Sequence, residues 1–308
     1  MVTRLYTHPI YLDHLTPPGH PERPDRLRAI ERVLEDERFA PLDRQEAPCG
    51  DEAAILYAHP QAHLDKVRAA IPHEGLVRID ADTSASPKSW QAALTAIGAA
   101  NAAVDDVFSG AAGNVFVAAR PPGHHAEKTR AMGFCFFNTA AIAARHAQRR
   151  HGAERVAIVD WDVHHGNGTQ DVFWDDPSVL YCSTHQMPLY PGTGGKDETG
   201  AGNIVNAPLS AGDGGDAFKD AFRTCILPAL DAFHPDLIIV SAGFDAHYRD
   251  PLAELELTEQ DFDWATAELM DSAARLAGNR LVSLLEGGYD LHGLAFSVAA
   301  HVARLMKG

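Results

Sequence analysis

The 308-residue sequence predicts an α/β fold: a central, mostly parallel sheet with helices on both faces, in a single domain. Three observations predict it. Five short runs rich in Val, Ile and Leu recur along the chain, as strands buried on both faces do. Alanine-rich stretches of helical period precede several of them. Each run is followed directly by a polar cluster, and ligands in such sheets bind beyond the carboxyl ends of the strands.

Taken in order, the stretch SWQAALTAIGAANAAVDDVF (89–108) predicts a helix leading into a strand at NVFVAA (114–119). The stretch NTAAIAARHAQRRH (138–151) predicts a second helix, leading into RVAIVD (155–160). A third strand is expected at SVLYCS (178–183), a helix at DAFKDAFRTCILPALDAF (216–233), and strands at DLIIVS (236–241) and RLVSLL (280–285). The glycine-rich segment from His185 to Phe218 predicts a loop over the rim. Its GTGG has no Lys-Ser or Lys-Thr at the spacing a phosphate-binding loop needs. No internal repeat or linker divides the chain.

A formal net charge of −16, from 26 Lys and Arg against 42 Asp and Glu, argues against nucleic acid, which requires a basic footprint. Cationic substrates suit this balance better, although an acidic surface also simply keeps a protein in solution. Four scattered cysteines, Cys49, Cys135, Cys182 and Cys225, form no CxxC pair and predict a reducing, cytoplasmic home. No run reaches the roughly 18 apolar residues of a membrane helix, so no membrane partner is expected.

The clusters after the five strands read RPPGHHAE, WDVHHGNG, THQ, AGFDAH and EGGYD, so histidines, aspartates and a tyrosine are expected on one rim. The run VAIVDWDVHHGNG poses the central problem, because a buried carboxylate without a partner costs several kcal/mol or more, by an order-of-magnitude estimate. Metal ions are the expected counter-charges. In extended backbone Asp160, Asp162 and His164 share a face, which allows Asp162 and His164 to hold one ion, with Asp245 the best third ligand. One histidine and two aspartates leave a position open for water, as catalytic metal sites do. His124 and His125 are either further ligands or proton carriers. Tyr289, after two glycines that let backbone approach a ligand, is either an oxyanion donor or a packing residue. There is no HExxH helix, no GxSxG elbow and no signature around a nucleophilic cysteine, which leaves metal-activated water as the nucleophile.

Together HPERPDRL, RPPGHHA, GFCFFN, DWDVHHGNGTQ, YPGTGG, SAGFDAH and LEGGYD resemble the histone deacetylase superfamily, closest to its class II and bacterial amidohydrolase branch. The motifs span residues 20 to 290 in family order. The resemblance implies an arginase/deacetylase-like catalytic domain over residues 1–308. It implies zinc on Asp162, His164 and Asp245, with iron(II) or cobalt(II) suited to the same donors. It implies His125 as general base and acid, His124 beside it bonded to Asp160, and Asn167 where much of the family has an aspartate. Tyr289 matches the catalytic tyrosine, Phe134 and Tyr190 the walls of the acyl-lysine channel, and Gly133 and Gly288 glycines of the substrate-binding motifs. Arg23 matches an arginine near an internal acetate cavity, and Asp82 a loop aspartate that orients substrate backbone. Asp160 and Ser183, with the carbonyls of Asp162, His164 and Thr184, resemble an inner potassium site.

The implied reaction is hydrolysis of N-acetyl-lysine in a protein or peptide to acetate and free amine. Acetylpolyamine hydrolysis is the alternative, and a silent acyl-lysine-binding module a third. In one polyamine-specific branch an acidic residue lies seven positions after the metal aspartate; Leu252 stands there, which favours a monocationic amide, while Glu254 nearby pulls the other way. A homo-oligomer is compatible with this reading.

Overall fold

The computed structural model describes residues 2–307. Among the described residues ten strands form, β1 (Thr3–Thr7), β2 (Asp43–Glu46), β3 (Val77–Arg78), β4 (Ser84–Ala85), β5 (Asn114–Val117), β6 (Val156–Asp160), β7 (Val179–Gln186), β8 (Ile204–Leu209), β9 (Leu237–Ala242) and β10 (Leu281–Leu285). Eight of them make one parallel sheet in the order β2-β1-β5-β10-β9-β6-β7-β8. β3 and β4 form a separate small hairpin. The helices are α1 (Asp25–Leu34), α2 (Gln61–Ala69), α3 (Ser89–Ser109), α4 (Thr139–His151), α5 (Asn167–Phe173), α6 (Gly215–Ala221), α7 (Leu227–Phe233), α8 (Glu259–Leu276) and α9 (Leu291–Leu305). α3 and α4 pack together against the middle of the sheet, while α8 packs on α9 and α9 on α1.

All five predicted strands form, and every residue of β5, β6, β7, β9 and β10 is buried, as their largely apolar runs require. The predicted helices at 89–108 and 138–151 are α3 and α4. Each is closed by a left-handed glycine, Gly110 and Gly152. The helix expected over 216–233 is divided: α6 and α7 are joined by one π turn, Phe222–Ile226, with Pro228 in the first turn of α7.

The loop expected from His185 to Phe218 is corrected. Its second half contains β8, which pairs only with β7 and carries Pro208; an edge strand tolerates a proline and needs no continuous apolar run. β1 and β2 escape the apolar criterion for a related reason. β2 is an exposed edge, and β1 is tied to it by the ion pair Arg4–Asp43 at 2.8 Å. Among the described residues no helix is long and apolar enough to cross a membrane.

The parallel arrangement brings the carboxyl ends of β5, β6, β7, β9 and β10 to one edge. Residues 120–127, 161–168, 243–247 and 286–290 leave the sheet there, and 184–186 form the end of β7.

Candidate active site

Strand β6 ends at Asp160, and the chain turns over β9 so that Asp162, His164 and Asp245 meet. They form a buried group whose ligand atoms lie within 4.8 Å of one another. His164 Nδ1 stands 3.1 Å from both Asp162 Oδ1 and Asp245 Oδ2. Glycine is required around this group. A Cβ at Gly287 would come within 2.2 Å of Asp245 Oδ2, and one at Gly243 within 2.2 Å of Asp162 Oδ2.

The electrostatics describe a place for a cation. Burial and the nearby Asp162 charge push the Asp245 carboxyl up to about 7. Burial would lower the His164 pKa, but its bonds to Asp162 and Asp245 lift it to about 10. Both shifts come from negative charge gathered at one buried point, which a divalent ion on the same three groups would neutralise. The donor set fits a metal: two carboxylates and an imidazole converge, buried, with hydrogen bonds from Gly287 N (2.8 Å) to Asp162 Oδ2 and from Val163 N (2.9 Å) to Asp245 Oδ1 fixing the carboxylates.

Beside it lie the two histidines, ring centroids 4.0 Å apart. His124 Nδ1 is 3.0 Å from Asp160 Oδ2. Burial opposes its charge, but Asp160, Asp162 and Glu286 hold its pKa well above the usual histidine range. His125 is held well below that range by burial and by the charges of His124 and His164.

Its tautomer follows from its partners. Asn167 Nδ2 donates to Glu127 Oε1 (2.8 Å), an acceptor only, so Asn167 Oδ1 faces His125 Nδ1 at 2.8 Å. His125 therefore carries its proton on Nδ1 and keeps a lone pair on Nε2.

Tyr289 lines the same cavity, and burial together with the Asp245 charge keeps its hydroxyl protonated. Its ring lies 5.0 Å from the Arg26 guanidinium, which donates to the carbonyls of Gly288 (2.6 Å) and Glu286 (2.5 Å). Here the sequence reading is corrected. Arg23 is surface-exposed and pairs with Asp25 at 3.6 Å; the buried arginine of this segment is Arg26. Asp25–Leu34 is helical, and Arg26 lies on its buried face with Leu27 and Ile30. Arg26 also pairs with Glu22, which holds Arg120 through both carboxylate oxygens.

A cavity of about 240 Å³ is lined by Asp82, His125, Gly133, Phe134, His164, Leu189, Tyr190, Leu252 and Tyr289. Phe134 adopts a left-handed backbone, φ 68°, uncommon for an aromatic residue. It is held there by the loop between β3 and β4: Thr83 Oγ1 accepts from Phe134 N (3.0 Å), and Asp82 Oδ1 accepts from Gly133 N (3.1 Å). Gly133, φ 57°, is needed because a Cβ would lie 2.4 Å from the His125 ring. Tyr190 meets His125 edge to face at 5.2 Å, and Phe134 meets Tyr289 in the same way at 5.9 Å. Gly288, φ 123°, does not line the cavity but permits the turn that presents Tyr289.

Asp160 and Ser183 are register partners on β6 and β7, while the buried Thr184 hydroxyl has no hydrogen-bond partner. Sequence reasoning missed Glu286, which accepts from Gly123 N (2.7 Å), His124 N (3.2 Å) and Ser241 Oγ (3.1 Å) and so fixes the histidine pair from below. It also missed Asp250, whose Oδ2 accepts from Tyr289 N at 2.7 Å. The signal for Glu286 was present: it stands at a strand end, as Asp160 does.

The chain is 43% identical over 302 residues to an uncharacterized protein of Synechocystis, covering 96% of this chain and 97% of that one. It is 41% identical to a histone deacetylase-like amidohydrolase of Pseudomonas aeruginosa, covering 88% of this chain and 73% of the relative. The solved structure of the HD domain of HDA15 superposes with a TM-score of 0.94 at 38% identity, covering 99% of this chain and 88% of that one. The molecule is thus a hydrolytic deacetylase. The histone deacetylase domain model matches residues 20–305, and the chain belongs to that family.

Proposed function

We propose that residues 1–308 are one catalytic domain that removes the acetyl group from N-acetyl-lysine in peptides or proteins, with zinc as its metal. The observation that carries the reading is the meeting of the Asp162, His164 and Asp245 group with the His125 Nε2 lone pair and the protonated Tyr289 at the floor of one narrow cavity.

A divalent ion on those three ligands would supply Lewis acidity toward the amide carbonyl and toward water. His125 Nε2 takes a proton from the attacking water as the new C–O bond forms. The Tyr289 hydroxyl donates to the developing oxyanion. As the C–N bond breaks, His125 returns the proton to the departing amine, giving acetate and free amine. His124, charged and anchored on Asp160, lowers the basicity of its neighbour and so helps it act as the acid.

Phe134 and Tyr190 flank the methylenes of the incoming side chain, and Asp82, at the rim, accepts from its backbone. An inner potassium ion on Asp160 and Ser183, with the carbonyls of Asp162, His164 and Thr184, would neutralise the remaining buried charge. The four free cysteines accord with a cytoplasmic home.

Leu252 lines the cavity, whereas Glu254 is exposed and its backbone N–H is bonded to Gln186 (2.7 Å). An apolar group there does not compensate the desolvation of a second ammonium. With zinc-loaded protein, kcat/KM on an acetyl-lysine peptide is expected to exceed that on an N-acetylated polyamine by about tenfold or more, the equivalent of 1.4 kcal/mol. The reverse order would make polyamine hydrolysis the function, and no turnover of any amide would leave a binding module.

The pH profile tests the histidine assignment. His125 must be neutral to act as base, so kcat/KM falls on the acid side as it becomes protonated. Its lowered pKa places that limb well below neutrality. The paired change Asn167→Asp with Glu127→Gln conserves total charge but puts a carboxylate on His125 Nδ1. That raises the His125 pKa, so the acid limb is expected to move up by about 1–3 pH units. An unmoved limb removes His125 as the titrating base.

A further inference from the structure

On the other side of the molecule, three side chains converge that the reaction does not use. Asp105 on α3 presents Oδ1 to His146 Nε2 at 2.8 Å and to His151 Nε2 at 2.6 Å. The three ligand atoms lie within 4.8 Å of one another, as those of the catalytic group do.

The two imidazoles come from the last two turns of α4 and are already oriented. The His151 ring is stacked on Phe108 of α3, with centroids 4.6 Å apart and planes 12° from parallel, and the His146 side chain is only 12% exposed. Asp105 is 53% exposed, which leaves room for water to complete a coordination shell. Arg280 rests on the same Phe108 ring but directs Nε to the Asp236 carbonyl at 2.7 Å.

We propose that Asp105, His146 and His151 form a second metal site, for a divalent transition metal of zinc's class. Two imidazole nitrogens and one carboxylate oxygen, with water in the open position, are donors of that class. Two N–H groups donating to one oxygen give the same spacing in the metal-free state, and an ion entering there displaces both protons. Two of the three ligands come to the site with little torsional freedom left, which lowers the entropic cost of binding.

Position indicates the role. α3 and α4 run into β5 and β6, so their carboxyl-terminal turns lie at the amino end of the sheet, opposite the channel. An ion here ties the ends of two neighbouring helices together and touches no group of the reaction. The site is structural, and it stands independently of the catalytic reading.

The test is a count of zinc per chain after equilibration with zinc and removal of loosely held ion, on wild type and on His146→Gln/His151→Gln. The expected result is a loss of one zinc, from two to one, a smaller zinc-induced rise in Tm, and kcat/KM within about twofold of wild type. Asp105→Asn, a change at an exposed side chain, is expected to weaken the site at least about tenfold, since even partners one shell further out are worth 10–100-fold. A change from one zinc to none would equally support this site and would count against zinc at the catalytic group. An unchanged count in the double variant overturns the proposal.

Discussion

Asp245→Asn is expected to leave a folded protein that no longer retains metal at the catalytic group and has lost turnover by orders of magnitude. The amide keeps an oxygen to accept from Val163 N, now 2.9 Å from Asp245 Oδ1, so the backbone of the 161–168 turn stays supported. What disappears is one of two negative charges facing His164. Affinity should fall by more than the ~10–100-fold that follows loss of a mere supporting partner of a metal ligand. Zinc content after dialysis, measured beside kcat/KM, checks both halves. Removing metal from the wild type with a chelator should abolish turnover, and readdition should restore it. A variant that keeps its zinc and its rate would remove Asp245 from the ligand set.

Tyr289→Phe separates binding from chemistry. Its aromatic ring contacts, to Phe134 at 5.9 Å and to the Arg26 guanidinium at 5.0 Å, survive the loss of the hydroxyl. The channel wall and the metal group are therefore preserved, while the donor to the oxyanion is gone. Loss of one such donor costs about 10²–10³ in kcat. KM and zinc content are expected to stay near wild type. Unchanged turnover would return Tyr289 to a packing role.

The parts of this molecule that were legible in the sequence are those where one physical demand dominates. Strands buried on both faces are predominantly apolar, which is why β5, β6, β7, β9 and β10 were visible. Buried carboxylates and histidines at their ends demand partners, which made the rim visible before any geometry was known. β2 and β8 were not, because an edge strand answers to solvent on one side and can carry DRQE or a proline. Arg23 and Arg26 lie three residues apart, yet Arg23 precedes α1 and faces solvent while Arg26, in its first turn, is buried under Tyr289. A motif match fixes the segment but not which of two arginines turns inward. Glu286, Glu127 and Asp250 serve by accepting hydrogen bonds from partners far away in sequence, and no local pattern encodes such a pairing.

The sheet order carries a consequence for how the molecule comes into being. β10, the last strand of the chain, lies between β5 and β9, with the sheet continuing on both sides of it. Until it is synthesised and inserted, β5 and β9 each present an unpaired, largely apolar edge, the kind that recruits other chains. The turn that follows it supplies Tyr289 and the carbonyls held by Arg26, so the nascent chain is both sticky and inert until nearly all of it is made. The long separation between β5 and β10 makes this closure slow relative to local helix formation. A chain cut just before residue 281 would lose far more than a tyrosine: it would leave two half-sheets linked by the packing of α3 on α4 and no longer by a strand, and aggregation would be its fate.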